Sequence, residues 1–216
     1  ERSAHALAVG SASGDDAALA VAHTLAAMVA ASDGERMLND WNYVRALQHA
    51  ERAGDVMQIA RIRSNRGSRL LEEGEYDLAL VELDDAVRHA DLGGYGVVLA
   101  LAMTNRGEVL TRLGRLDDAR TDLASAVDLL QHHGSLLVAY PLTVLARLYL
   151  IRGDIEQARE APERALATSE QGNDQQISVA ASLQLARALM NSEPEVSQQL
   201  IDRASATEGS LDAAEV

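Results

Sequence analysis

Gly74-Glu75-Tyr76, Gly114-Arg115-Leu116 and Gly153-Asp154-Ile155 are three versions of one short phrase, each with an alanine five residues after its glycine: Ala79, Ala119 and Ala158. Together with Gly34, these glycines stand 40, 40 and 39 residues apart. A period in this range marks a stacked-repeat solenoid, in which each unit buries its apolar face only against its neighbours. The register within the period is strict. Gly67, Gly74, Ala79, Leu83 and Ala86 have gaps of 7, 5, 4 and 3. The same gaps separate Gly107, Gly114, Ala119, Leu123 and Ala126, and again Ala146, Gly153, Ala158, Pro162 and Ala165. Running backward by 40, Ala27, Gly34, Asn39, Tyr43 and Ala46 keep the small residue, the glycine and an aromatic.

Each unit reads as two helices. In the second, Val56, Ile59, Ile62, Gly67, Leu70 and Leu71 recur at helical spacing from about Asp55 to Glu72. Gly74 breaks that helix, and a second runs from Tyr76 to about Ala90, closed by Gly93-Gly94. The third unit repeats the scheme and closes at His132-His133-Gly134-Ser135. A fifth unit, announced by Leu185-Ala186-Arg187, turns at Ser192-Glu193-Pro194 without a glycine and ends in a short polar helix, about Glu195 to Ala206. The expected layout is a flank at 1–14 and units at about 15–53, 54–93, 94–134, 135–172 and 173–206. A frayed tail is expected at 207–216. Small residues at the first and third marked positions let the paired helices approach closely. Glycine supplies the turn angle that other residues avoid. The large fourth residue is expected to fill the groove against the next unit. Pro162 falls at that position in mid-helix, where it is expected to kink the helix or split it near Ala158.

Composition agrees with an all-α chain. Apolar residues make up 47% of 216 and aromatics only 3%, with no Phe, so alanine and leucine carry the interior. Three prolines leave room for long helices. The absence of cysteine excludes disulfides and thiolate metal sites. No signal segment and no run of about 18 apolar residues stand out, so no membrane association is expected. The chain reads as a fragment excised from a longer cytoplasmic protein. A net charge of −14 opposes direct nucleic-acid binding and favours a cationic partner or ligand.

The repeated phrase, with its small residues, turn glycine and second-helix alanines, resembles the tetratricopeptide repeat over roughly residues 15–206. Its 39–40-residue period exceeds the usual ~34. Longer units of this kind resemble the superhelical sensor region of large ATP-binding transcription regulators of the LuxR type, typified by the maltose-regulon activator. Leu145-Ala146-Arg147-Leu148-Tyr149-Leu150-Ile151-Arg152-Gly153-Asp154 and Glu163-Arg164-Ala165-Leu166-Ala167 carry that likeness. In that family the region lies between an ATPase module and a C-terminal DNA-binding helix-turn-helix; neither motif is present in this sequence. The resemblance implies a right-handed all-α solenoid without catalytic residues, metal or cofactor. It also implies a groove for a peptide, a protein or a small effector, with homodimers among the assemblies left open. Its alternative is a protein–protein scaffold in an unrelated complex. A phosphatase-type antagonist of a response regulator is a third reading, which needs a catalytic side chain on the first helices.

In tetratricopeptide arrays the first helices line the concave surface. The matching positions here are Arg61, Ser64, Asn65, Ser68 and Glu72, then Leu101, Thr104, Asn105, Glu108 and Arg112. Tyr140, Thr143 and Arg147 follow, then Leu183 and Arg187. Asn65 and Asn105 stand in register at 40, each before Arg-Gly, and an amide both donates to and accepts from a peptide backbone. Leu25 and Val144 interrupt the series, and the competing reading has the asparagines bonded to neighbouring helices. Arg147 and Arg187, with Arg112 nearby, suit an anionic group, unless Glu108 pairs with them. His132-His133 reads as a bland loop, and His49 and His89 as packing near helix ends. Trp41 and Tyr43 are expected to fill the core; exposed, they would mark a docking point for an upstream domain.

Overall fold

The computed structural model describes residues 14–214, with side chains through Thr207. Among these residues there are ten α-helices, one short 3-10 turn (Leu136–Val138) and no strand. The helices are α1 (Asp16–Ser32), α2 (Arg36–Ala53), α3 (Val56–Glu72), α4 (Tyr76–Leu92) and α5 (Gly96–Arg112). They continue as α6 (Leu116–His132), α7 (Ala139–Arg152), α8 (Ile155–Gly172), α9 (Gln175–Leu189) and α10 (Pro194–Ala214). They pair as five helix–turn–helix units, the architecture of an all-α solenoid. The expected flank lies outside the described residues except for Gly14. The final helix does not stop at Ala206; its backbone stays helical to Ala214, and the rest of the expected tail lies outside the described residues.

One device ends nearly every helix. Gly14, Gly34, Gly54, Gly74, Gly94, Gly114, Gly134 and Gly153 all have φ between 59° and 80°, and Asn173 follows at 52°. These positions recur every 19 or 20 residues, so turns within units and turns between units share one geometry. Beyond each of the later eight, an N–H reaches back over the left-handed residue: Glu75 N donates to Leu70 O at 2.9 Å, Tyr95 N to Ala90 O at 3.0 Å and Arg115 N to Leu110 O at 2.9 Å. Such a bond satisfies one of the orphan carbonyls of a helix end. Aspartates Asp15, Asp55 and Asp174 cap the opposite ends of α1, α3 and α9 through their carboxylates. The turn after α9 has no left-handed residue; Glu193 N instead bonds Leu189 O at 2.8 Å, and Pro194 begins α10, where its missing N–H costs nothing.

The chain forms two compact units that divide within α5, between Asn105 and Arg106. In the first, α1 packs on α2, α2 on α3 and α3 on α4. Its core is small-residue-rich: Ala20, Ala27, Ala46, Ala50 and Ile62 are fully buried around Tyr43. In the second, α7 packs on α6, α8 and α9, and α9 on α8 and α10.

Leu83 meets its own hairpin closely: it seats over Gly67, and a Cβ built on Gly67 would lie 2.8 Å from Leu83 Cδ2. In the second unit a Cβ on Gly107 would lie 2.7 Å from Leu123 Cγ. Glycine at the first position and leucine at the fourth are therefore lock and key within one hairpin. At Pro162 the expected split near Ala158 does not occur, because α8 runs unbroken from Ile155 to Gly172 with Pro162 fully buried inside it. The ring fills the position that leucine occupies elsewhere, and its apolar packing offsets one lost N–H bond.

Candidate interaction surface

In the first unit, Arg61 is exposed on α3 and makes no ion pair among the described residues. One turn on, Asn65 is half-buried, and none of the described residues hydrogen-bonds its amide. Ser68, a turn further along, is also half-buried. Asn105 donates from Nδ2 to Ser64 Oγ at 3.1 Å, so α5 is tied to α3 through this pair. The two asparagines, alike in register, thus differ: Asn105 is engaged with a neighbouring helix, and Asn65 keeps donors and acceptor available.

Two threonines leave the candidate surface. Thr104 has no exposed area and donates to Ala100 O at 2.7 Å; Thr143 is buried and donates to Ala139 O at 2.9 Å. Thr24 bonds Ala20 O at the same register. Each hydroxyl donates to the carbonyl four residues back on its own helix, a local bond that threonine makes within helices.

In the second unit, Arg147 is paired with an acid, although its Nε has no hydrogen-bond partner among the described residues. Its Nη2 lies 2.7 Å from Glu108 Oε1, and Arg112 Nη2 lies 3.9 Å from the same oxygen. Glu108 therefore occupies the place expected for an anion. Tyr140 is half-buried on α7, and Arg187 is exposed on α9 without an ion pair among the described residues.

Cross-helix ion pairs escaped the sequence reading. In the first unit Arg63 and Arg66 both grip Glu82, at 3.1 and 2.8 Å, and Arg63 also reaches Asp85 at 3.2 Å. In the second, Arg106 clasps Asp122 through Nε at 2.6 Å and Nη2 at 2.8 Å. Arg66 with Glu82 and Arg106 with Asp122 recur at the forty-residue spacing, a signal present in the sequence. Hydrogen bonding from Arg88, opposed by some desolvation and aided by Arg63, holds the Asp85 carboxyl below the usual range.

The first hairpin replaces arginine and glutamate with His23 and Asn42, joined at 2.9 Å from Nδ1 to Oδ1. His23 stacks on His49 with ring centroids 5.4 Å apart, and His49 Nδ1 meets Asp16 Oδ1 at 2.6 Å. Burial holds His23 below its ordinary pKa, while the bond to Asn42 works the other way. His89 bonds Asp85 O at 2.7 Å near the end of α4. His132 and His133 are exposed, and no group of three or more potential ligands suited to a metal occurs among the described residues. Tyr43 fills the core as expected, but Trp41 is 52% exposed and does not.

Comparisons with known proteins agree with this geometry. Residues 98–171, from within α5 into α8, match the tetratricopeptide repeat family model. The crystal structure of BtubC (BKLC) from P. vanneervenii is similar over 98% of this chain and 90% of its own, with a TM-score of 0.79 and 18% sequence identity. That likeness establishes the fold. No curated protein matches the chain. Tetratricopeptide repeats generally mediate protein–protein contact and are typically non-catalytic. Among the described residues no helix is long and apolar enough to cross a membrane.

Proposed function

We propose that this chain is a non-catalytic interaction module that binds a peptide or protein segment across the first-helix positions of its first unit. The observation that carries this reading is the half-buried Asn65 amide, unbonded among the described residues, one turn from the exposed Arg61. Asn65 would pair with a peptide backbone, which offers both a donor and an acceptor. Arg61 would meet a carboxylate of the partner. Asn105, held by Ser64, would fix the spacing between the two first helices rather than bind.

Within a longer polypeptide the module would sense or couple a binding event for a transcription regulator. The LuxR-type resemblance of residues 145–154 and 163–167 supports this finer role. An upstream phosphate loop and a downstream helix-turn-helix in the parent sequence would sustain it, and the lack of both would remove it, leaving a scaffold.

A thermal-shift screen against peptides and small metabolites tests the binding site. A ligand that raises Tm is expected to lose most of its effect in Asn65→Ala. A ligand that stabilises the wild type and Asn65→Ala, Arg61→Ala equally would refute the proposed site.

A further inference from the structure

The solvent side of α2 is more apolar than the same side of α6 and α8, and α4 shares part of that character through its exposed Leu78 and Val81, but not at the register of Met37. Met37 is 87% exposed, with Trp41 52% and Leu38 45% exposed close by. At the register of Met37, α4, α6 and α8 carry Asp77, Asp117 and Glu156. The first turn of α2 and the turn before it enclose an open hollow of ≈ 810 Å³, lined by Gly34, Glu35, Arg36, Met37, Leu38 and Trp41. Scattered exposed apolar residues are ordinary, but three gathered in one hollow mark a contact surface.

The surrounding charges select the occupant. Arg36 pairs with Glu73 at 2.8 Å and is neutralised. Arg45 lies over the Trp41 ring, 5.5 Å from its centroid, and donates to Gln48 Oε1 at 3.4 Å. Asp33, Glu35 and Asp40 are exposed and make no ion pair among the described residues. The hollow is therefore an apolar floor with an acidic rim, on a chain of net charge −14 that draws cations toward it. The same acids repel phosphate, so nucleic acid and anionic lipid are unsuitable occupants. The floor is already set before binding: Trp41 stands edge-on to His23 at 5.5 Å, beneath Arg45. No atom lies within 4 Å of a Cβ built on Gly34, so a partner backbone can approach there closely.

We propose that this hollow docks a basic amphipathic segment of a partner protein. Its bulky apolar side chain would enter between Met37, Leu38 and Trp41, while its Lys or Arg side chains meet Asp33, Glu35 and Asp40. The surface lies on a second helix and shares no residue with the proposed first-helix site, so each stands or falls separately.

Trp41 is the sole tryptophan, which makes its emission a local reporter. The probe is a synthetic amphipathic helix of leucine and lysine, with a leucine–glutamate helix as its counterpart. The lysine peptide is expected to shift Trp41 emission to the blue, saturably, and the glutamate peptide to leave it unchanged. Met37→Asp copies the residue found in α4 and α6 and touches no core atom; it is expected to weaken binding about tenfold or more. Asp33→Asn with Glu35→Gln and Asp40→Asn is expected to weaken it about tenfold at low salt and far less at high salt. Equal affinity for wild type and Met37→Asp would overturn the proposal, leaving only diffuse attraction to an acidic chain. So would a sedimentation dimer that Met37→Asp dissociates, with no peptide-induced shift, because the hollow would then belong to a second copy.

Discussion

Two hairpins of the second unit hold their helices together by opposite means at one register. Across α5 and α6, Arg106 makes a two-pronged ion pair with Asp122, whose residue is only 6% exposed. Across α7 and α8 the same positions are Leu145 and Ala161, both buried. Beside them, the Gly107–Leu123 contact of the α5–α6 hairpin gives way to Ala146 and Pro162. The repeat thus specifies a volume between paired helices, which either charged or apolar side chains can fill. A buried ion pair gains little over an apolar pair of similar size, so exchange between them is tolerated.

Three experiments bear on that comparison, in descending order of expected effect. Arg106→Leu leaves Asp122 buried without its partner and is expected to cost about 3–5 kcal/mol in urea denaturation. Adding Asp122→Ala, which installs the α7–α8 solution in α5–α6, should restore most of that stability. A double variant as unstable as the single one would show that the two hairpins are not interchangeable. Gly107→Ala should destabilise by about 1–3 kcal/mol through overpacking against Leu123, although alanine is the better helix former. A rise in Tm would mean that Leu123 swings aside and that the lock is looser than its geometry suggests.

The smallest effect concerns the α1–α2 hairpin, where His23 stands at the register of Arg63. Burial keeps His23 neutral, so the unfolded chain binds a proton that the folded chain resists. Stability is therefore full above the ordinary histidine value of 6.5 and declines as pH falls below it. The Asp16 carboxyl, held low chiefly by its bond to His49, loses its contribution only at more acid pH. A melt series from pH 7.5 to about 5.5 should show Tm falling, with the slope much reduced in His23→Gln. Equal slopes in both proteins would remove His23 as the source.

Spacing alone determined the helical hairpins, their order and the turn glycines, because a left-handed turn and a close helix crossing each admit few side chains. The forty-residue period was legible in Gly34, Gly74, Gly114 and Gly153. The finer beat through Gly54, Gly94 and Gly134 was written there too, though only the shared φ reveals that all are one turn. Tertiary structure decided which polar groups remain free. Thr104 and Thr143 carry the residue type of a binding wall, yet both are buried and bond carbonyls of their own helices. Asn65 and Asn105 both precede Arg-Gly, yet Asn105 donates to Ser64 while no described residue bonds the Asn65 amide. Trp41 stays exposed while Tyr43, two residues on, is buried, because a helix turns about 200° between them. Periodicity specifies where a side chain starts on its helix; what it meets depends on the neighbouring helices that packing brings within reach.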